Sequence, residues 1–409
     1  MPSKTRKTTE HSRLDMRLLS MVFILLGMWI LFRWRVGEFY FSGESIAKLS
    51  RDMATWTILA AGMTLIIVAG HIDLSVGSLL AVVTASCAYM LDPEIGLGWS
   101  ATVAVPLALG AGVVLGLWQG LLVALFRVPS FIVTLAGLFM FRGLTQRISA
   151  QDPRVPEGSW INALGFGYLP DSVGYALAAV VCVLIVAAGL WQQARRRHLE
   201  LEPENRVLFV FRLVVPCLLL LAFVYKANQY QGVPAQTLVM GCVLVLLWFV
   251  AGKTLFGRRV YAIGGNPEAA RLSGIGVEVN TVLLFALMGL LAGVAGVVWM
   301  AQNQGSTQKA GEWYELYAIA SCVIGGTSLM GGRGAVFGTL LGALVMATVI
   351  QGMDYTGLQN WLQLVVRGAV LVLAVGIDVA TKNPAPWMQR TVERLRRCWR
   401  ARSTDQATA

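Results

Sequence analysis

Charge, histidine and paired cysteine are what this sequence has least of. Charged residues make up 13% of the 409 residues, against about 25% in a typical soluble protein. That deficit leaves too little polar surface to clothe a soluble body of this size. Three histidines, at 11, 71 and 198, stand too far apart to form a local metal motif. Six cysteines (87, 182, 217, 242, 322 and 398) show no CxxC spacing, and five lie within apolar runs. Neither a disulfide framework nor a zinc site is indicated, and no metal or other cofactor is expected to bind this chain.

What is abundant is apolar. Hydrophobic residues reach 56%, and there are 43 glycines. A helix needs about 20 mostly apolar residues to cross a bilayer. Candidate cores lie near 18–32, 53–70, 74–91, 99–126, 128–141, 173–191, 207–225, 233–251, 280–301, 314–330, 334–353 and 358–378. The pairs 53–70/74–91 and 314–330/334–353 are separated only by short Gly-rich joints, and 128–141 and 314–330 are short or carry polar residues. Such pieces read as broken or re-entrant helices, which survive only where protein surrounds them. The expected fold is an all-α, polytopic membrane bundle with about ten to twelve crossings.

The first core follows a basic start, as in a signal peptide. Arg33, Trp34 and Arg35 come next instead of a small-residue cleavage site, so a retained span is expected. The net charge of +11 is scattered at the ends of apolar runs rather than gathered on one stripe. It therefore reads as a topology signal and not as a nucleic-acid surface. Placing the N-terminus (Lys4, Arg6, Lys7, Arg13, Arg17) in the cytoplasm, an even number of crossings returns the arginine-rich C-terminus there. Arg195, Arg196, Arg197, Arg258 and Arg259 fall on the same side, and Asp92, Glu94, Glu312, Glu315 and Asp354 fall outside. Arg33 and Arg35 fit that scheme less well. The implied organisation is a cytoplasmic segment 1–17, a membrane domain 18–381 and a basic cytoplasmic tail 382–409. The loop 142–172 reads equally as a solvated connector or as a surface for a soluble partner.

Residues 257–275, GRRVYAIGGNPEAARLSGI, interrupt the apolar pattern. A nucleotide loop is the first possibility, since Gly252, Lys253 and Thr254 resemble the end of a P-loop. That motif requires glycine at 247, where Leu247 stands, and GxGxxG fails at Phe337. A short helix explains the stretch better. Asn266 suits an N-cap, Pro267 the first helical position, Glu268 the positive end of the helix dipole and Gly274 the C-terminal cap. From Pro267 to Ser273 such a helix is roughly 10 Å long. It is marginal alone in water and needs a partner surface, to which Ala269, Ala270 and Leu272 offer a small, smooth face.

This stretch resembles the cytoplasmic coupling loop of bacterial sugar ABC-transporter permeases of the ribose, galactose and xylose type. AGHIDLSVGSLLAVV (69–83), VPSFIVTLAGLFMFRGL (128–144) and CVIGGTSLMGGRGAVFGTLLGALV (322–345) agree in the same order. The likeness covers about 50–382, and the insertion at 192–230 with YQGVP at 230–234 resembles the xylose branch. The resemblance implies a multi-pass permease of the bacterial inner membrane, itself no enzyme, that carries a monosaccharide inward. It implies a second permease copy, ATPase subunits using ATP and Mg, and a periplasmic sugar-binding protein as partners. The coupling loop, about 252–279, would present Gly264, Gly265, Asn266, Glu268, Ala269, Ala270 and Arg271 to the ATPase, with Arg258 and Arg259 flanking it. His71, in place of a small residue, and Gln119, where asparagine is common, depart from the family pattern and leave the sugar open.

The scarcity of acidic residues within the cores independently favours outside energisation, because ion-coupled carriers keep ionisable groups in their spans. An ion-coupled sugar carrier acting alone is the alternative. Arg367 is the clearest charge within a core, and it suits pairing or snorkelling better than substrate contact. A neutral sugar needs hydroxyl and amide partners, and Asp73, Ser75, Gln119, Ser130 and Thr134 lie in segments that could line its path. The same hydroxyls equally suit bonds back to helix carbonyls. Gly325, Gly326, Gly331, Gly332 and Gly334 suit tight turns and close approach.

Overall fold

A computed structural model describes Met21 and residues 24–199 and 206–382. The expected segment 1–17 and all of the tail after Lys382 lie outside those residues. The chain divides into two compact units, Met1–Gly357 and Leu358–Ala409.

Each predicted core is met by a helix. They are α1 (24–36), α2 (Gly43–Val68), α3 (Val76–Leu91), α4 (Ala101–Ala124) and α5 (Ser130–Ile148), then, after a short α6 (Trp160–Phe166), α7 (Asp171–His198), α8 (Arg206–Asn228) and α9 (Ala235–Lys253). Two short helices follow, α10 (Leu255–Gly265) and α11 (Pro267–Leu272). The last are α12 (Val277–Asn303), α13 (Tyr314–Ile324), α14 (Val336–Tyr355) and α15 (Asn360–Lys382). Among the described residues, eight helices are long and apolar enough to cross a membrane: α2, α4, α5 with its continuation to Gln151, α7, α8 from Phe209, α9, α12 and α14. The joints at 69–75 and 325–335 do break their segments, leaving α3 with 16 residues and α13 with 11.

α2 is the hub of the first unit. From Met53 to Val68 every residue is buried, as expected of a helix apolar all round its circumference. α9, α12, α13 and α14 pack around it. The tightest crossing is that of α4 on α12. Gly112, Gly116 and Gly120 recur every four residues on one face of α4, and a Cβ at each would meet α12 backbone at Gly289, Phe285 or Val282. Without an oil–water difference to drive helices together inside lipid, such close backbone packing supplies the attraction. α7 and α8 form a peripheral hairpin around Ala178, Val224, Ala227 and Val233. Their outward faces leave Val180, Val183, Leu184, Leu218 and Leu219 exposed. In the second unit, α15 holds Arg367 through a bond from Nη2 to Gln363 Oε1 at 2.6 Å.

One expectation is corrected. The stretch 142–172 is not a featureless loop. α5 runs on to Ile148, because Arg142 finds a partner in the Ala310 carbonyl at 2.6 Å and Thr145 bonds back to Phe141 at 2.8 Å. The rest is a built cap. Tyr168–Leu169 (β1) pairs antiparallel with Val233–Pro234 (β2), Arg154 bridges Gly305, and Ser149 bonds Ser306 at 2.8 Å. Glu315 is only 7% exposed. α13 begins within the bundle, so its first turn packs this carboxylate against Gly77 of α3.

Asp92 fastens the cap to the end of α3. Its Oδ1 accepts from Glu94 and Ile95 N–H at 2.8 and 3.1 Å, and its Oδ2 from Arg154 N–H at 2.8 Å. Burial alone would raise this carboxyl, but the three N–H donors outweigh it and hold it below the ordinary carboxylate range. A lowered folded-state pKa contributes stability above the unfolded value, and that stability is lost as pH falls through the folded one. Acidification through that lowered value should therefore loosen the cap, and Asp92→Ala should loosen it at neutral pH. Limited proteolysis at Arg154 reads both, and equal cleavage of variant and parent would refute the role. In the crossing of α4 and α12, Gly116→Leu should lower stability by about 1–3 kcal/mol through overpacking. An unchanged Tm in detergent would show that the crossing tolerates bulk.

Candidate functional site: a docking helix and a buried polar joint

The segment between α9 and α12 is helical almost throughout. Thr254, which resembled the end of a P-loop, is the N-cap of α10. Its hydroxyl accepts from Gly257 N–H at 3.2 Å and donates to the Val250 carbonyl at 2.6 Å. α10 went unread at the sequence level, although Gly257, Val260 and Ile263 recur every three residues and form its buried face. Arg258 and Arg259 lie opposite, exposed.

α11 has the predicted caps. Asn266 breaks the helical path between α10 and α11 with extended backbone, and its Oδ1 accepts from Ala269 N–H at 3.0 Å. At the other end Gly274 takes φ +80°, Gly274 N–H bonds Arg271 O at 3.0 Å and Ile275 N–H bonds Ala270 O at 3.1 Å. This is the Schellman arrangement that glycine permits at low cost. Arg271 forms an ion pair with Glu278 in the first turn of α12.

The presented face differs from the expected one. Ala270 is 5% exposed and packs into the chain itself, while Leu272 stands 91% exposed. Gly265, Asn266, Pro267, Glu268, Ala269 and Arg271 are exposed beside it. Gly264 instead faces inward, where a Cβ would overlap the Val68 carbonyl.

The second constellation is the joint 69–75, and it brings together all five predicted pathway residues. Asp73 Oδ1 accepts from Ser75 N–H at 2.8 Å and from its hydroxyl at 2.7 Å. Gln119 Nε2 of α4 donates to the same Ser75 Oγ at 2.8 Å. On α5, Ser130 Oγ accepts from Ile72 N–H at 3.4 Å, and Thr134 Oγ1 donates to Ile72 O at 3.2 Å. Asp73, Ser75, Gln119 and Thr134 are fully buried. Asp73 Oδ2 and Gln119 Oε1 have no protein partner. In this conformation the group closes a joint between broken helices, with its Ile72–Ser130 edge still exposed.

Three contributors went unread. Tyr261 Oη donates to Gly334 O at 2.8 Å. Arg142 and Glu315 flank the joint from α5 and α13. The partners of Tyr261 and Arg142 lie 73 and 168 residues away, and no local pattern announces them.

The family model described as "Branched-chain amino acid transport system / permease component" matches residues 45–375. The Xylose transport system permease protein XylH of Escherichia coli (strain K12) is 38% identical over 373 residues, covering 90% of this chain and 93% of that one. XylH of Haemophilus influenzae is 37% identical over 344 residues, with 84% and 91% covered. The Ribose import permease protein RbsC of Escherichia coli (strain K12) is 33% identical over 339 residues, with 83% and 87% covered. No solved structure matches the chain.

Asn266→Ala should fray α11 by removing its N-cap. A cap of this kind is worth about 1 kcal/mol, or roughly fivefold in local opening. Hydrogen exchange at the Ala269 amide should speed up by that factor. Unchanged exchange would mean that packing, not the cap, holds the helix.

Proposed function

Because the chain belongs to the transport-system permease family whose model spans residues 45–375, we propose that it is the membrane subunit of an ATP-driven importer of a monosaccharide. Xylose or a related sugar is the favoured cargo, from the names of its relatives and the order of the shared segments. The chain itself is no enzyme. ATP and Mg are used by a separate ATPase, and this chain supplies the path and the docking helix.

One observation carries the reading: α11 is a capped helix of six residues with Leu272 91% exposed. A helix so short does not repay its own nucleation in water, and its caps and the Arg271–Glu278 pair pre-form it for a partner. Glu268, Ala269, Arg271 and Leu272 form the contact face, Asn266 holds it, and Arg258 and Arg259 flank it at the membrane surface. With Lys and Arg favouring the cytoplasm, this end and both termini lie inside. The 149–170 cap then lies outside, where a sugar-binding protein delivers cargo. A second copy of the chain completes the membrane unit. Asp73, Ser75, Gln119, Ser130 and Thr134 are the hydroxyl, amide and carboxylate groups that an opened joint would offer to sugar.

Reconstitution tests the reading. Xylose uptake should require the ATPase, the binding protein and ATP; uptake by this chain alone along a proton or sodium gradient would overturn it. Glu268→Arg reverses a charge in the first turn of α11, where the dipole interaction is worth about 0.3–1 kcal/mol, and it places a cation on the contact face. The variant should fold and insert normally yet lose most uptake per ATP hydrolysed. Uptake equal to the parent's would remove Glu268 from the docking face.

A further inference from the structure

We infer that a backbone junction of Val68, Gly264 and Gly331–Gly332, fastened by Tyr261, passes displacement of α11 to both broken helix pairs of the bundle. The inference rests on the docking reading above and names the positioning residues that act behind the contact face.

Three chain segments meet there without side chains between them. Val68 O, at the end of α2, accepts from Gly332 N–H at 2.8 Å. Gly264, at the end of α10, lies so close to the same carbonyl that a Cβ would overlap it, and a Cβ there would also come within 2.8 Å of Gly332 N. A Cβ on Gly331 would come within 2.8 Å of Gly264 O and 3.3 Å of Gly70 Cα, and one on Gly332 within 3.1 Å of Gly265 Cα. Glycine is required twice over at Gly331 and Gly332, which take φ +81° and +70°. Tyr261, one helical turn before Gly264, donates from Oη to Gly334 O at 2.8 Å and ties α10 to the same loop.

The chemistry of the junction suits transmission. Side chains change rotamer when pushed, whereas backbone packed on backbone has no such soft coordinate, because close-packed interiors transmit strain. α10 and α11 are separated only by Asn266, so a partner that moves α11 also moves Gly264. From Val68 the chain continues into the 69–75 joint that holds Asp73 and Ser75 ahead of α3. From Gly332 and Gly334 it continues directly into α14. One junction therefore reaches both places where the bundle is broken.

The test uses the full chain assembled with its ATPase and binding protein, and it reads xylose moved per ATP hydrolysed. Tyr261→Phe removes one hydroxyl and adds no bulk. It should leave ATPase co-purification and ATP turnover intact while lowering sugar moved per ATP by about threefold or more, the scale of one lost hydrogen bond. Gly264→Ala, which wedges a methyl group against Val68, should lower it by roughly tenfold through overpacking. Should Gly264→Ala fail to fold, Tyr261→Phe decides alone. A parental ratio in Tyr261→Phe overturns the junction as a transmitter and makes it packing only. Cross-linking from Leu272→Cys to the ATPase tests the docking reading separately. Without a cross-link in the otherwise parental chain, that reading fails and takes the junction with it; with a cross-link and a parental ratio, only the junction fails.

Discussion

A helix that stops inside a bilayer leaves carbonyl and amide groups that only protein can satisfy. The architecture of this chain follows from that constraint more than from any single side chain. α2 ends on Gly70 at φ +86°, with Gly70 N–H on Ile67 O and His71 N–H on Ile66 O. α13 ends on Gly326 at φ +88°, with Gly326 N–H on Val323 O and Thr327 N–H on Cys322 O. Both use the turn that also closes α11 at Gly274. One carbonyl at the end of α2 remains, Val68 O, and Gly332 N–H takes it. The need to satisfy that group is what draws the loop before α14 onto the end of α2.

The same constraint accounts for the polar residues of the joint. After Gly70 the chain cannot return at once to helix, and Ile72 is left with an amide and a carbonyl that no helix serves. Ser130 Oγ and Thr134 Oγ1 take them from α5. Asp73 then collects the Ser75 amide and hydroxyl at the start of α3, and Gln119 completes the chain of bonds from α4. Each of these side chains replaces water that the bilayer does not provide. Their first duty is to the backbone, and any role toward cargo is exercised by groups the fold already requires.

This division explains what was legible in the sequence. The helical cores showed because apolar length is local. The caps of α11 showed because Asn266 to Ala269 and Gly274 to Arg271 span only three residues. Each of the five joint residues is legible on its own, but their convergence is not, since Gln119 and Ser75 lie 44 residues apart. α10 was hidden by the glycines and arginines that also suit a loop, even though its buried face repeats every three residues. The burial of Glu315 is not legible because a helix starting inside the bundle has no signature in the count of crossings. Resemblance to a family of permeases supplied what spacing alone did not, namely a partner for the short helix.

That short helix shows how local and distant forces divide the work. Six residues form too few internal bonds to offset the fixing of their backbone. The Asn266 cap and the turn at Gly274 remove the worst unsatisfied groups, the Arg271–Glu278 pair anchors the helix to α12, and Ala270 buries against the chain. None of these contacts uses Leu272, whose burial would be worth about 1.5–3 kcal/mol. The helix is thus held in shape by one set of residues and left exposed by another. A surface ordered in advance loses little conformational freedom when a partner covers it. On the proposed docking, what the partner gains at Leu272 is available for binding, and Gly264 is where the proposed junction takes up the movement of α10.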